Sequence, residues 1–202
     1  MSGFLRKDGV SQQIGCVIIA AGFSERMGKE KSLLKIGSRT MTKWFFDRMM
    51  AHDFNPIVVT RKDLGQKISE QISQHRIVTN PTPESGRTGS IQVGISKLDR
   101  LSESPYRLLV VPIDRPGFSD STLSKLTVSI ETCCPEKDGF GGHPILLSVE
   151  DVEIVRGASP ETPLRDLVNP NRLKVDDPFL HLNIDKEESL VGLAEILLGI
   201  WS

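Results

Sequence analysis

Residues 16–34 read CVIIAAGFSERMGKEKSLL, and the reading of this stretch decides the fold. Cys16 to Ala21 form an unbroken apolar run rich in β-branched side chains, the pattern of a parallel strand covered on both faces. Gly22 and Gly28 follow. They let the backbone turn and approach a ligand closely, and successive free N–H groups in such a loop can form a nest for an anion. Phosphate is the anion to expect, because Arg26, Lys29, Lys31 and Lys35 stand against only Glu25 and Glu30 over residues 24–35. Arginine grips two phosphate oxygens at once, and lysine acts as a movable point charge. A turn with a solvated basic rim would use the same residues. Two common phosphate loops do not fit. Five residues rather than four separate Gly22 from Gly28, Glu30 follows Lys29 where a P-loop carries Ser or Thr, and the second glycine of GxGxxG is missing.

Outward from this loop, strand-type and helix-type segments alternate. Residues 42–50 (TKWFFDRMM) are expected to be helical, with Trp44, Phe45 and Phe46 on the buried side. Residues 57–60 and 76–79 read as strands separated by a polar helix over 64–73. In 89–101, Ile91, Ile95 and Leu98 fall on one helical face. Residues 108–111 are a further buried strand, followed by an amphipathic helix over 120–130. The alternation predicts an α/β fold, a three-layer Rossmann-like architecture on a mostly parallel sheet. Beyond Pro135 the pattern is irregular. Gly139, Gly141, Gly142 and Pro144 mark turns, and 145–148 and 173–175 are expected to form a small antiparallel edge. A last strand over 182–184 and a closing helix over 187–198 complete the series. With no repeat and no linker, one domain is expected over 1–202, residues 1–13 being a flexible N-terminal tail. Ligands of such folds sit beyond the carboxyl ends of the strands, so the residues that follow each strand carry the interest.

The whole chain has 202 residues, 38% apolar and 25% charged, which disfavours disorder, collagen-like repeats and coiled coil. Lys plus Arg number 25 against 26 Asp plus Glu. A net charge of −1 offers no overall field for a nucleic-acid polymer, though it says nothing against a single nucleotide. Cys16 and the adjacent Cys133 and Cys134 suggest neither a disulfide framework nor a zinc site, and a reducing cytoplasm is the expected location. Residues 1–14 lack a signal-peptide core, and no apolar run approaches membrane-span length, so no membrane association is expected.

The segment AAGFSERMGKEKSLL (20–34) closely resembles the signature AAGxSxRMGxxKxLL that opens nucleotidyltransferases of the molybdenum cofactor type, a branch of the nucleotide-diphospho-sugar transferase fold. The resemblance implies that this loop wraps the triphosphate of an NTP. Ala20, Ala21, Gly22, Ser24 and Gly28 would then bind nucleotide, and Arg26 and Lys31 would act on the phosphates. It extends to Asn80-Pro81 and residues 84–91 (ESGRTGSI), which resemble the family's second nucleotide loop, NP…EGMSSSLRAGL, and imply nucleotide-binding roles for Asn80, Ser85, Gly89 and Ser90. Arg87 and Thr88 replace the usual Met and Ser. An ordinary Ser/Gly helix cap would look the same. Residues 109–116 (LVVPIDRP) resemble the strand ending in GDMP that presents the family's magnesium-binding aspartate, here Asp114. Arg115 stands in place of Met, where it would either pair with Asp114 or contact substrate phosphate. Gly142 and His143 fall in the family's GHP turn, on the acceptor side, where His143 is either a donor to the acceptor or a structural histidine. Asp185, in residues 182–185 (LNID), matches a second metal-side carboxylate and is equally an N-cap for the last helix.

These roles imply a Mg²⁺-dependent transfer of a nucleoside monophosphate to a phosphate-bearing acceptor, with release of pyrophosphate. Catalysis of this kind is mainly positioning and charge neutralisation. Mg²⁺ would be held by Asp114 and Asp185, while Arg26 and Lys31 neutralise the departing pyrophosphate. A phosphate acceptor is already ionised and needs no general base, in keeping with the absence of a nucleophile triad. The family's closest members join CTP or GTP to molybdopterin. The AAG opening is nearer the cytidylyltransferase branch than the AGG of the guanylyltransferase branch, so CTP is favoured and GTP remains open. Transient contact with molybdoenzymes would follow. Other branches use different phosphorylated small molecules. A non-catalytic nucleotide- or molybdopterin-binding chaperone or sensor is the competing reading, supported by Arg87-Thr88 and Asp114-Arg115 and opposed by the co-occurrence of Lys31, Asp114 and Asp185.

Overall fold

The apolar run becomes β1 (Ile14–Ala20), buried from Gly15 to Ala20 and central in the main sheet. A computed structural model describes residues 13–23, 28–102, 105–185 and 192–200, the last without its side chain. The other elements are β2 (Lys35–Ile36), β3 (Arg39–Thr40), α1 (Met41–Ala51), β4 (Ile57–Thr60), α2 (Lys62–Ser69), β5 (Ile77–Thr79), α3 (Arg87–Leu98), β6 (Arg107–Pro112), α4 (Asp120–Thr127), β7 (Cys133–Lys137), β8 (Phe140–Gly141), β9 (Ile145–Leu147), α5 (Val149–Gly157), α6 (Leu164–Leu167), β10 (Asn171–Lys174) and α7 (Leu193–Ile200). Thr40, Ser119 and Ser148 cap α1, α4 and α5, each side-chain oxygen accepting from a backbone N–H three residues on.

Among the described residues the main sheet runs β10-β7-β9-β6-β1-β4-β5, with β8 paired to β7 and β2-β3 a separate hairpin. The pairs β1-β4, β1-β6, β4-β5 and β7-β10 are parallel; β9 is antiparallel to both β6 and β7. Because successive strand residues face opposite ways, β1 feeds two cores. Ile18 packs with Val58, Leu109, Phe45 and Phe118 on the side of α1, α2, α4 and α7. Val17 packs with Val59, Val110, Ile91 and Ile95 on the side of α3 and α5. Each large side chain buried this way is worth about 1.5–3 kcal/mol. The result is the three-layer α/β fold that the sequence predicts. Gly94 lets α3 press onto the sheet, since a Cβ there would stand 2.6 Å from Val17 Cγ2.

The differences lie mostly after residue 130. β7 was not expected, and β10 pairs with it in parallel, so 173–175 are not part of the antiparallel edge. Residues 182–184 form no strand. Of the closing helix, residues 187–191 lie outside the described residues, as do residues 1–12 of the expected tail. Phe46 is half-buried, whereas Trp44 and Phe45 are buried as expected.

Candidate functional site

From β1 the chain moves to β4 and β5 on one side, then crosses to β6 on the other. The carboxyl ends of β1 and β6 therefore flank a topological switch point, where ligands of open α/β sheets bind. A cleft of about 260 Å³ opens there, its wall including Ala21, Gly22, Lys31, Arg87, Ser90 and Asp114. Ala20 is buried behind it, and its carbonyl accepts from Thr60 Oγ1. Gly28 has φ +60°, a backbone that favours glycine, and is exposed. Ser24 and Arg26 lie outside the described residues.

Lys31 Nζ donates to Asp185 Oδ1 at 2.5 Å, and Asn183 Nδ2 donates to Asp185 Oδ2. The hydrogen bond from Lys31 is the main reason the Asp185 carboxyl sits below its usual range, with Asn183 adding to it and desolvation opposing. The Ile184 N–H donates to the Asp114 carbonyl at 3.0 Å, fastening this segment to the end of β6. The cation beside Asp114 is Arg87, with Nη2 3.8 Å from Oδ2. Arg115 takes another position: its Nε is buried without a hydrogen-bond partner among the described residues.

The second loop builds one wall. Asn80 is 2% exposed, and its amide is committed internally: Nδ2 donates to Ser90 Oγ at 3.0 Å, and Oδ1 accepts from the Thr82 N–H at 2.9 Å. It holds Ser90 at the cleft. Ser85 ends a short 3₁₀ turn over Pro83–Ser85. The Gly89 N–H donates to the Pro160 carbonyl at 3.1 Å, and a Cβ at Gly89 would stand 3.1 Å from Pro160 Cβ. Gly89 thus serves the approach of α3 to the 160 loop.

A second cleft, about 710 Å³, shares Gly86 and Arg87 with the first and includes Gly142 and His143. The Gly142 N–H donates to the Pro135 carbonyl at 2.7 Å, and a Cβ there would meet Leu180 Cγ at 2.8 Å. His143 Nε2 lies 3.4 Å from Arg87 Nη1. Desolvation, with Arg87 and Arg115 nearby, pushes the imidazole down to about 3, so it is neutral at physiological pH.

Arg61 is the site residue that the sequence reading missed. It follows β4 directly, and inspection of the residue after each strand would have found it. Its Nη1 donates to the Gly22 carbonyl at 2.8 Å and its Nη2 to Glu30 Oε1 at 2.7 Å, joining the two ends of the first loop. Asp63 holds the same guanidinium through Nε and Nη2, and Phe23 lies 4.9 Å beneath it. The hydrogen bond to Asp63 leads the effects that raise the Arg61 pKa further, while desolvation opposes them.

The donor set suits a hard divalent cation. Asp114 and Asp185 would offer carboxylate oxygens to such an ion, and Asn183 Oδ1 is buried without a hydrogen-bond partner among the described residues. No cluster of three or more His, Cys, Asp or Glu residues that could hold a metal occurs among the described residues. Magnesium needs none, since one or two carboxylates, waters and substrate phosphate complete its shell.

The sequence profile of the MobA-like NTP transferase domain matches residues 16–175. The chain belongs to this nucleotidyltransferase family. It is 28% identical over 116 residues to a nicotine blue oxidoreductase of Paenarthrobacter nicotinovorans, a match spanning 56% of this chain and about half, 55%, of that relative. Solved structures that share the fold include the following three. Molybdopterin-guanine dinucleotide biosynthesis protein A of Archaeoglobus fulgidus superposes with a TM-score of 0.67 at 16% identity, over 92% of this chain and 99% of that one. A 4-diphosphocytidyl-2C-methyl-D-erythritol synthase gives 0.66 at 16%, over 93% and 99%. The Rv0371c protein of Mycobacterium tuberculosis H37Rv, in complex with manganese, gives 0.69 at 18%, over 91% and 98%. No described helix is long and apolar enough to cross a membrane.

Proposed function

We propose that this chain transfers a nucleoside monophosphate from an NTP, CTP by preference, to a phosphate-bearing acceptor, molybdopterin in the first instance, releasing pyrophosphate in the cytoplasm. The observation that carries the reading is the convergence of Lys31, Asp114, Ser90 and the Ala21-Gly22 turn on one cleft at the switch point, with Asp185 held by Lys31. Lys31 is poised to leave Asp185 for a phosphate oxygen, and Ser90, steadied by Asn80, offers a hydroxyl to the nucleotide. Asp114 and Asp185 would hold Mg²⁺, which supplies Lewis-acid charge neutralisation at the phosphates when bound. The manganese complex of a protein with this fold is consistent with that role. The AAG at 20–22 supports CTP, and both a cytidylyl and a guanylyl enzyme share the fold.

The test is pyrophosphate release with Mg²⁺, molybdopterin and each common NTP in turn, run beside Asp114→Ala. CTP is expected to give the fastest release, and Asp114→Ala to lower it by about 100-fold or more, as for loss of one charge-stabilising group. Activity indifferent to Asp114→Ala would remove the metal assignment. NTP binding without turnover on any phosphorylated acceptor would favour the chaperone or sensor reading. The relative's name prompts one further arm, redox turnover of nicotine blue: turnover of that compound without pyrophosphate release would overturn the transferase reading.

A further inference from the structure

The two clefts communicate through one side chain. Arg87 lines both, its guanidinium 3.8 Å from Asp114 on one side and 3.4 Å from the His143 imidazole on the other. Its backbone is fixed: the neighbouring Thr88 Oγ1 donates to the Thr162 carbonyl at 2.6 Å, and the Gly89 N–H holds the Pro160 carbonyl. The head group is not fixed. The Arg87 side chain is 41% exposed, its contact with Asp114 is longer than a hydrogen bond, and a pair of this kind is worth little in water. Its other neighbour, the neutral His143 imidazole, offers one long acceptor contact at 3.4 Å and no charge to balance the guanidinium. An arginine so placed has a rigid base, a nearly free fork and a position between two cavities.

Any group transfer across this junction requires the attacking oxygen of the second ligand to reach the phosphate held in the first cleft. The anion that carries that oxygen must pass Arg87. Beyond it, the second cleft is walled by Ile145, Pro160, Pro163, Leu164 and Val168, with Arg165 and Arg172 also lining it. We propose that Arg87 is the residue that anchors and selects the acceptor's anionic group, and that the second cleft takes an acceptor with a phosphate-type anion on a largely apolar body. This deepens the transferase reading and rests on it. A planar fork binds two oxygens of one phosphate, so charge and shape both matter at this position.

The residue that the family pattern carries here is methionine, so Arg87→Met keeps bulk and removes charge, while Arg87→Lys keeps charge and removes the fork. Both proteins, with their thermal transitions recorded as a check on folding, are saturated with Mg²⁺ and the hydrolysis-resistant α,β-methylene analogue of CTP. Inorganic phosphate, standing in for the acceptor's phosphate monoester, is then titrated and followed by ³¹P NMR. Arg87→Met is expected to weaken phosphate by about ten-fold or more, the value of one charge-assisted bond. Arg87→Lys should fall between it and the wild type, and affinity for the analogue should stay within about two-fold in both. Phosphate affinity unchanged in Arg87→Met, or no phosphate binding by the analogue-loaded wild type, overturns this inference alone. Analogue affinity lost with phosphate affinity kept would place Arg87 in the nucleotide site and overturn it too. A wild type that does not bind the analogue refutes the transferase reading and takes this inference with it.

Discussion

A neutral imidazole beside two arginines is a testable feature at the scale of one residue. His143 sits at about 3 in the folded protein, against an ordinary 6.5. Below pH 6.5 the unfolded chain takes up a proton that the folded site refuses. The stability associated with neutral His143 is therefore complete above pH 6.5 and is lost as pH falls toward 3. His143→Gln removes that dependence and leaves Asp185 to act equally in both proteins. Urea unfolding from pH 7 to pH 3.5 should show the wild type losing more stability than the variant. Parallel curves would contradict the burial and charge assigned to this ring. Lys31, Asp114 and Asp185 were singled out by the resemblance of residues 20–34, 109–116 and 182–185 to the family's segments, since residue type alone leaves Asp114 a turn residue and Asp185 an N-cap. The partners they adopt were not legible in the sequence: Lys31 bonding Asp185, and Arg87 rather than Arg115 beside Asp114, depend on how the ends of separate strands meet.

Among the elements, the first loop depends on a residue outside it. Arg61, 6% exposed at the start of α2, ties Gly22 and Glu30, the described residues on either side of the first loop, to one guanidinium. A charge-assisted bond of this kind contributes about 1.5–3 kcal/mol. Glu30→Gln weakens one arm of the clip without emptying a buried site, and its nucleotide dissociation constant should rise about three- to ten-fold. Arg61→Lys, which loses the fork, should weaken nucleotide binding further. Calorimetric titration with the CTP analogue decides the matter, and equal affinities across the three proteins would reduce the clip to a structural brace. Parallel strands and their crossover helices were legible because hydrophobic period alone separates them, as β4 at Ile57–Thr60 shows. β7 was hidden by its own sequence, CCPEK, since a central proline argues against a strand. Pro135 is tolerated because its carbonyl serves Gly142 and its backbone pairs with Leu173 where β10 joins the sheet. Residues 182–184 have the composition of a strand, but the hydrogen bond from Ile184 to Asp114 ties them to a loop instead of a ladder.

At the scale of the whole molecule, the cleft exists because β1 has chain leaving in opposite directions on its two sides, which opens the sheet's carboxyl edge at β1 and β6. On the proposed reading, the groups at that edge that suit the nucleotide's phosphates are the Gly22 backbone, Lys31 and Ser90 at the start of α3, with Asp114 on the metal side. Binding energy should accordingly be concentrated on the polyphosphate. A ligand at a hundred times its dissociation constant stabilises the folded state by about 2.7 kcal/mol. For a chain of this size that raises the midpoint of thermal unfolding by about 5–10 °C. CTP and pyrophosphate, each with Mg²⁺, should both produce shifts of this order, whereas cytidine at the same concentration should leave the midpoint almost unchanged. Raising ionic strength should shrink the first two shifts, since the attraction is between charges in an open cleft. A shift from cytidine equal to that from CTP would mean that the base carries recognition, and the phosphate cleft between β1 and β6 would lose its assigned role.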